Sequence, residues 1–335
     1  MLAKILANRL RAVIGSVISD SQPSFVKGKQ ILDGILVANE AVDEVRCLKK
    51  EMLLFKMDFK KAYDSVDLNY LDMVMKRMNF PTLWRKWMST CVGTVTASVL
   101  VNGCPTDEFS MEIGMRQGDP LSPFLFLLAV EGFNVLILSL MEAGLFHGYA
   151  VGRENTLSLS DLQFADDTLI IGQKIWLNVR SIRVVLLILE QMSGLKVNFN
   201  KSMLTGVNIS KSWLSEAARV LHCRVGAFPF VYLGLPIGGD SGKLDFWRPI
   251  MTCIISRLSN WKSKFLSFGG RLILLKSVMS SILIYFLSFF KVPTYIISSI
   301  ESLFRGGDKN CLGELELCLS NEGGGRLRCS EVEGI

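Results

Sequence analysis

Leu2, Ile5, Leu6, Leu10 and Val13 recur at steps of three and four, with Lys4, Arg9 and Arg11 between them. The spacing predicts an amphipathic helix, which Ser19-Asp20-Ser21-Gln22-Pro23 stops. A helix this apolar from its first residues is expected to lack the element it packs on and to expose apolar surface. Asp33 is placed to cap a second helix carrying Ile35, Leu36, Ala38 and Val42. Leu53-Leu54-Phe55-Lys56-Met57-Asp58 reads as a mostly buried strand. Asp67 and Asn69 precede a helical pattern at Leu71, Val74, Met75 and Met78, which Pro81 ends. Thr94 to Val101 is β-rich, and Asn102-Gly103 is a hairpin turn signal.

Gly114 to Pro120 is a polar loop feeding an apolar helix from about Ser122 to Leu140, with Ser122 as the expected N-cap. Leu157 to Phe164 and Thr168 to Ile171 are strand-like runs on either side of Ala165-Asp166-Asp167, which predicts a hairpin with carboxylates at its tip. A helix from Val179 to Met192 ends at Ser193-Gly194, and Val231 to Leu235 reads as one short strand. From Lys243 to Lys291 eight Lys or Arg face one acid, Asp245, at helical apolar spacing. That stretch reads as a separate basic, helical lobe. After Arg305 the period collapses among scattered Gly and acids, which predicts a poorly packed tail.

Composition narrows the classes. Half of the 335 residues are hydrophobic and a fifth are charged, which excludes intrinsic disorder. A mean hydropathy of +0.35 raises a membrane reading. The run from Phe124 to Leu140 contains Glu131 and Asn134, and the run from Ser277 to Phe290 has lysines just outside both ends. A spanning helix needs about 20 predominantly apolar residues. Both runs therefore read as buried core helices, and no membrane partner, transmembrane span or signal peptide is expected. Eight Cys without a C-x-x-C pair and only two His exclude zinc-site spacing and read as reduced thiols of an intracellular protein. The net charge of +6 fits a polyanion partner. With so few imidazoles, chemistry is expected to rest on carboxylates.

Three features could carry it. Asp58 ends a buried strand, where a charge is costly unless it is paired or used; Lys60 or Lys61 could pair it. Phe164-Ala165-Asp166-Asp167 sets adjacent acids in a turn. Alone that could be a solvated turn, but the apolar flanks Leu162, Phe164, Leu169, Ile170 and Ile171 argue against it. Gly114-Met115-Arg116-Gln117-Gly118-Asp119-Pro120-Leu121-Ser122-Pro123 could be a structural helix entry, or it could offer Arg116 and Gln117 to a phosphate or base. Together, acids from two neighbouring strands can hold two Mg²⁺ ions, which prefer oxygen ligands and leave room for substrate phosphates.

These strings, in this order, resemble the reverse transcriptase of LINE-type non-LTR retrotransposons in the form found in plant genomes. The likeness runs from about Leu2 to Pro293. It includes Gln22 to Lys29, Asp58 to Asp64, Arg116 to Pro123, Phe164 to Asp167, Gly194 to Asn198 with Lys201-Ser202, and Tyr232-Leu233-Gly234. The resemblance implies an α/β (α+β) right-hand polymerase: partial fingers over 1–50, a palm on an antiparallel sheet over 51–240, a helical basic thumb over 241–305, and a degenerate tail over 306–335. It implies RNA-directed DNA polymerase activity with two Mg²⁺ (or Mn²⁺) held by Asp58, Asp166 and Asp167. Phe59, Tyr63, Arg116, Gln117, Gly118 and Lys201 would meet the deoxynucleoside triphosphate, with Tyr63 under the sugar and Lys201 near the triphosphate. Tyr232, Gly234, Trp261, Lys262, Lys264 and Arg271 would meet the RNA template and DNA primer. Asp64 matches an acid that is not a metal ligand. The nucleus is the expected location. An inactive retroelement remnant that at most binds nucleic acid is the alternative, with an intron-type maturase polymerase behind it.

Overall fold

The structure is a computed structural model. It describes residues 2–94, 96–110, 113–152, 157–259, 267, 269, 273 and 280–305. The chain divides into two compact units, Met1–Gly238 and the residues from Gly239 on.

The first unit is built on a five-stranded sheet. Its strands are β1 (Met52–Met57), β2 (Asp161–Phe164), β3 (Asp167–Gly172), β4 (Met203–Val207) and β5 (Arg224–Val225), in the spatial order β5-β4-β1-β3-β2. All neighbours are antiparallel except β4 and β5. β1 is central. Leu53 pairs with Gly172 on one side, and Phe55 pairs with Leu204 on the other. Its side chains alternate, so Leu53, Phe55 and Met57 enter the main core cluster while Met52, Leu54 and Lys56 face the other way. Every β1 residue but Lys56 is buried, which is why the strand reads as a continuous apolar run.

Helices cover both faces. α1 (Leu2–Val13), α3 (Leu68–Arg77), α5 (Ser122–Glu142), α6 (Trp176–Ser193) and α7 (Lys211–Leu221) contribute to the main cluster. α4 (Thr82–Gly93) lies against α3, and α2 (Ile31–Cys47) packs on β2, β4 and a small hairpin on the other face. That hairpin is β6 (Phe230–Tyr232) with β7 (Leu235–Ile237), so the run expected as one strand turns at Leu233-Gly234. α5 is apolar nearly all round because it is buried: twelve of its residues are, including Glu131 and Asn134. It is the one helix among the described residues long and apolar enough to cross a membrane. The Tyr70 hydroxyl donates to Ala129 O (3.0 Å), joining α3 to α5.

Several local expectations change. α1 does have a partner, because Leu6, Ala7 and Leu10 are buried and α5 lies beside it, although Leu2, Ile5 and Val13 stay exposed. Asp33 is the third residue of α2 and closes a capping box with Gln30. Ser122 begins α5 rather than preceding it, and its hydroxyl donates to Arg116 O (2.7 Å). The run 157–164 is two strands: Leu157–Leu159 pairs with Tyr149–Val151, and only β2 pairs with β3.

In the second unit α8 (Leu244–Ser259) buries Phe246, Trp247, Ile250, Met251 and Ile254 together with Ile296 of α10 (Thr294–Arg305). Between them lies α9 (Ser280–Leu287). Arg248 pairs with Asp245 (2.8 Å) and Lys243 with Asp240 (3.5 Å). Trp261, Lys262, Lys264, Arg271 and the tail 306–335 lie outside the described residues.

Candidate active site

Asp58 follows the last residue of β1. Met57 pairs with Thr168 in the ladder, so one further step brings Asp58 opposite Asp167. Alternation puts Lys56, Asp58 and Asp167 on one face, and adjacent strands lie about 4.7–4.9 Å apart. The main chain of Asp58 is fixed on both sides. Its N–H donates to Ser202 Oγ (3.2 Å), and its carbonyl accepts from Asn198 N (2.7 Å). Ser202 is buried and donates in turn to Asn198 O (2.9 Å). Neither Lys60 nor Lys61 pairs with Asp58, which takes part in no salt bridge among the described residues.

The hairpin tip is Ala165-Asp166. Asp167 is already the first residue of β3, paired with Phe164. Asp166 is exposed and Asp167 half-buried. Ala165 is buried and has a φ of +55°, a left-handed conformation that costs an L-residue about 1–2 kcal/mol. Its N–H donates to Gln22 Oε1 (3.0 Å) and Ser24 Oγ (3.1 Å), and Gln22 Nε2 donates to Ala165 O (3.4 Å). A solvated turn would need none of these.

The three acids share one electrostatic field. Burial holds the Asp167 carboxyl above its ordinary value; Lys56 draws it down, while Asp166 and Asp58 push it up. Lys56 is held beside them by donating to Val231 O (2.9 Å). Burial, and then the charge of Asp166, raise the Tyr63 phenol. The Tyr63 ring stacks on Phe126 with centroids 4.7 Å apart. Tyr63 thus joins the core on one side and feels the charge of Asp166 on the other.

The Arg116-Gln117 loop is strapped along the segment that follows Asp58. Met115 N donates to Tyr63 O (2.7 Å), Gly114 N to Val66 O (2.9 Å) and Gln117 Nε2 to Asp64 Oδ1 (3.1 Å). Arg116, Gln117 and Gly118 are exposed. Lys201 is exposed on the same 198–202 segment that fixes Asp58, and Gly234 is exposed in the β6–β7 turn. Two expected contacts are corrected. Phe59 is buried in the core, so only its main chain can border a nucleotide. Tyr232 is fully buried and donates to Leu162 O (3.3 Å), so its side chain braces β2 instead of facing nucleic acid.

Among the described residues no group of three or more His, Cys, Asp or Glu is arranged to hold a metal ion. Mg²⁺ does not need such a cage, since it is usually bound by one or two carboxylates plus substrate phosphates. Hard oxygen donors that repel one another at an open strand end fit that chemistry. Gln22, Ser24, Asn198, Ser202 and Lys56 complete the site, and none was singled out from the sequence for a role in it. Lys56 carried a usable signal, as the one charge inside an apolar strand before Asp58.

A family model described as reverse transcriptase (RNA-dependent DNA polymerase) matches residues 1–237. The uncharacterized 149 kDa protein of transposon TX1 from Xenopus laevis is 24% identical over 286 residues, 84% of this chain and 21% of that protein. The retrovirus-related Pol polyprotein from type-1 retrotransposable element R2 of Popillia japonica is 28% identical over 176 residues, 51% of this chain and 23% of that protein. An uncharacterized mitochondrial protein of Arabidopsis thaliana is 41% identical over 69 residues, 21% of this chain and 56% of that protein. Among solved structures, apo telomerase from Candida tropicalis matches 70% of this chain and 39% of its own, with a TM-score of 0.48 and 14% identity. The chain spans about a fifth of the length of the TX1 and R2 proteins. With more than two thirds of its length matched by the family model, the chain belongs to the reverse transcriptase family, as the reverse transcriptase domain of a non-LTR retrotransposon.

Proposed function

We propose that this chain is an RNA-directed DNA polymerase of the LINE type carried in plant genomes, extending a DNA primer on an RNA template with deoxynucleoside triphosphates. The observation that carries this is the meeting of Asp58, Asp166 and Asp167 at one end of the sheet, from strands that only tertiary pairing brings together. The Arabidopsis likeness supports the plant form. The working location is the nucleus.

In this reading Asp58, Asp166 and Asp167 are the residues that would hold two Mg²⁺ (or Mn²⁺) ions, which when bound would supply charge stabilisation to the attacking and leaving oxygens. The primer 3′-oxygen forms a bond to the α-phosphorus as the bond to pyrophosphate breaks. Tyr63 borders the sugar, and its position beside Asp166 makes it the steric check on a 2′-hydroxyl. Gln117, held by Asp64, presents the loop to the nucleotide together with Arg116 and Gly118. Lys201 lies on the segment that fixes Asp58 and supplies a cation for the triphosphate.

Primer extension on an RNA template with Mg²⁺ tests the proposal. Asp58→Asn and Asp166→Asn should each lower the rate by at least about 10²–10³-fold. Extension that survives either change removes that residue from the mechanism. Salt-sensitive duplex binding without extension, unaltered by Asp166→Asn, would identify a remnant that only binds nucleic acid.

A further inference from the structure

The strongest unassigned feature is the contact between the 21–25 segment and the acidic turn. Gln22 and Ser24 are 1% and 0% exposed, although both are polar and lie in a connection between helices. Burying them costs free energy unless every polar atom has a partner. They find theirs in one another and in Ala165. Ser24 Oγ donates to Gln22 Oε1 (2.6 Å), and that oxygen also accepts the Ala165 N–H. The Gln22 amide thus meets both the N–H and the carbonyl of the residue just before Asp166. One residue pair earlier, Gln163 N donates to Ser21 O (2.9 Å), so the segment also lines the edge of β2. Non-glycine residues with positive φ stand on both sides of the contact, Phe25 at +58° and Ala165 at +55°. Strained conformations of this kind persist only where the surroundings over-determine them.

Resting on the polymerase reading above, we propose that Gln22, supported by Ser24, is a positioning residue that fixes the Ala165-Asp166 turn so that the Asp166 carboxylate is held at the strand end beside Asp58 and Asp167, where a divalent cation would be bound. Gln22 touches no reacting atom. It acts through the main chain of Ala165.

The test uses the full chain with Gln22→Met, which keeps the side-chain volume and removes both amide contacts. Three quantities are read: amide exchange at Ala165–Asp167, Mn²⁺ affinity by electron paramagnetic resonance, and kcat and KM for primer extension. Gln22→Met should speed exchange at those amides by at least ten-fold, weaken Mn²⁺ binding by about ten-fold and lower kcat by 10–100-fold, with KM for the nucleotide within about two-fold, since a misplaced group acts on the reacting geometry. Adding Ala165→Gly, which adopts positive φ without strain, should recover Mn²⁺ affinity and kcat to within about five-fold of the unaltered chain. Val185→Ala, in the core of α6, should lower Tm but change neither Mn²⁺ affinity nor kcat. Faster exchange in Gln22→Met with unaltered Mn²⁺ affinity and kcat would overturn the inference and leave the polymerase reading standing. So would a Val185→Ala protein that loses both to the same degree. An unaltered chain that neither binds Mn²⁺ nor extends a primer would overturn both.

Discussion

Two tight turns in this chain solve the same geometric problem in opposite ways. Asn102 (φ +51°) and Gly103 (φ +83°) join the strands Leu100–Val101 and Cys104–Pro105 in an exposed ribbon. Both residues tolerate left-handed backbone, so the turn makes itself. Ala165 (φ +55°) and Asp166 join β2 to β3, and alanine is not a residue that a left-handed turn position selects. Their geometry is imposed from Gln22 and Ser24, 143 and 141 residues earlier in the chain. A turn built from its own residues needs no function to explain it. One held from outside, at a cost in backbone strain, is where a carboxylate is being placed for use.

The sharpest way to break this comparison is to put the same side chain into both turns. Ala165→Val sets a β-branched residue at a buried left-handed position. It should lower extension by about 10²-fold by displacing Asp166. Asn102→Val carries the same backbone conflict in the exposed ribbon and should leave extension within about two-fold. Equal losses would mean that the two turns do not differ in the way argued. A second imposed geometry lies nearby. Gly114 has a φ of +86°, and a Cβ added there would stand 2.6 Å from Asp64 O. Gly114→Ala should therefore cost about 2–4 kcal/mol in denaturant unfolding, from strain and overpacking together. A loss well under 1 kcal/mol would show that the strapped loop yields freely.

What could be read from the sequence follows the same division. Period and turn chemistry are local, so α1, α3, α5, the apolar run of β1 and the Asn102-Gly103 turn were all legible. The acids were legible too, because Asp58 and Asp166-Asp167 interrupt apolar strands. The alternative that Lys60 or Lys61 satisfies Asp58 was open at that level, and it closes only in the folded chain, where neither lysine forms a salt bridge with Asp58. Tyr232 was expected to meet nucleic acid only through the family resemblance; a short apolar strand with a Gly turn does not tell which way a tyrosine points, and its side chain is buried and donates to Leu162 O. Gln22 and Ser24 look like ordinary loop residues. Their partners are each other and the main chain of Ala165, and contacts so far apart in the chain leave no trace in composition or spacing.

A third test asks whether the segment that holds the Ala165 turn is itself anchored under tension. Two residues before it, Ser19 donates from both N (3.1 Å) and Oγ (3.2 Å) to Glu131 Oε2, and Asn134 Nδ2 donates to Glu131 Oε1 (2.9 Å). Burial nevertheless raises the Glu131 carboxyl above its ordinary value of 4.5; those hydrogen bonds oppose the shift and the charge of Asp161 adds to it. The folded chain therefore holds this proton more tightly than the unfolded chain. The associated stability is complete below about 4.5 and is lost as pH rises through the raised value. Glu131→Gln removes the titration, so the Tm of the variant minus that of the unaltered chain should grow with pH across this window and then level off. A difference independent of pH would mean that Glu131 carries no burial penalty.

The smallest expected effect completes the contrast. Gly103→Ala places a Cβ at φ +83° with nothing within 4 Å of it, so the cost is conformational alone, about 1 kcal/mol. The ribbon is exposed at Val99, Leu100 and Val101, and weakly packed segments open without unfolding the whole. The cost should therefore appear as roughly five-fold faster amide exchange in residues 100–105, since about 1 kcal/mol is a factor of about five. The global Tm and primer extension should not move. If Tm falls as it does for Gly114→Ala, the ribbon is coupled to the core, and a turn made by its own residues is then no safer guide to a passive element than one imposed from afar.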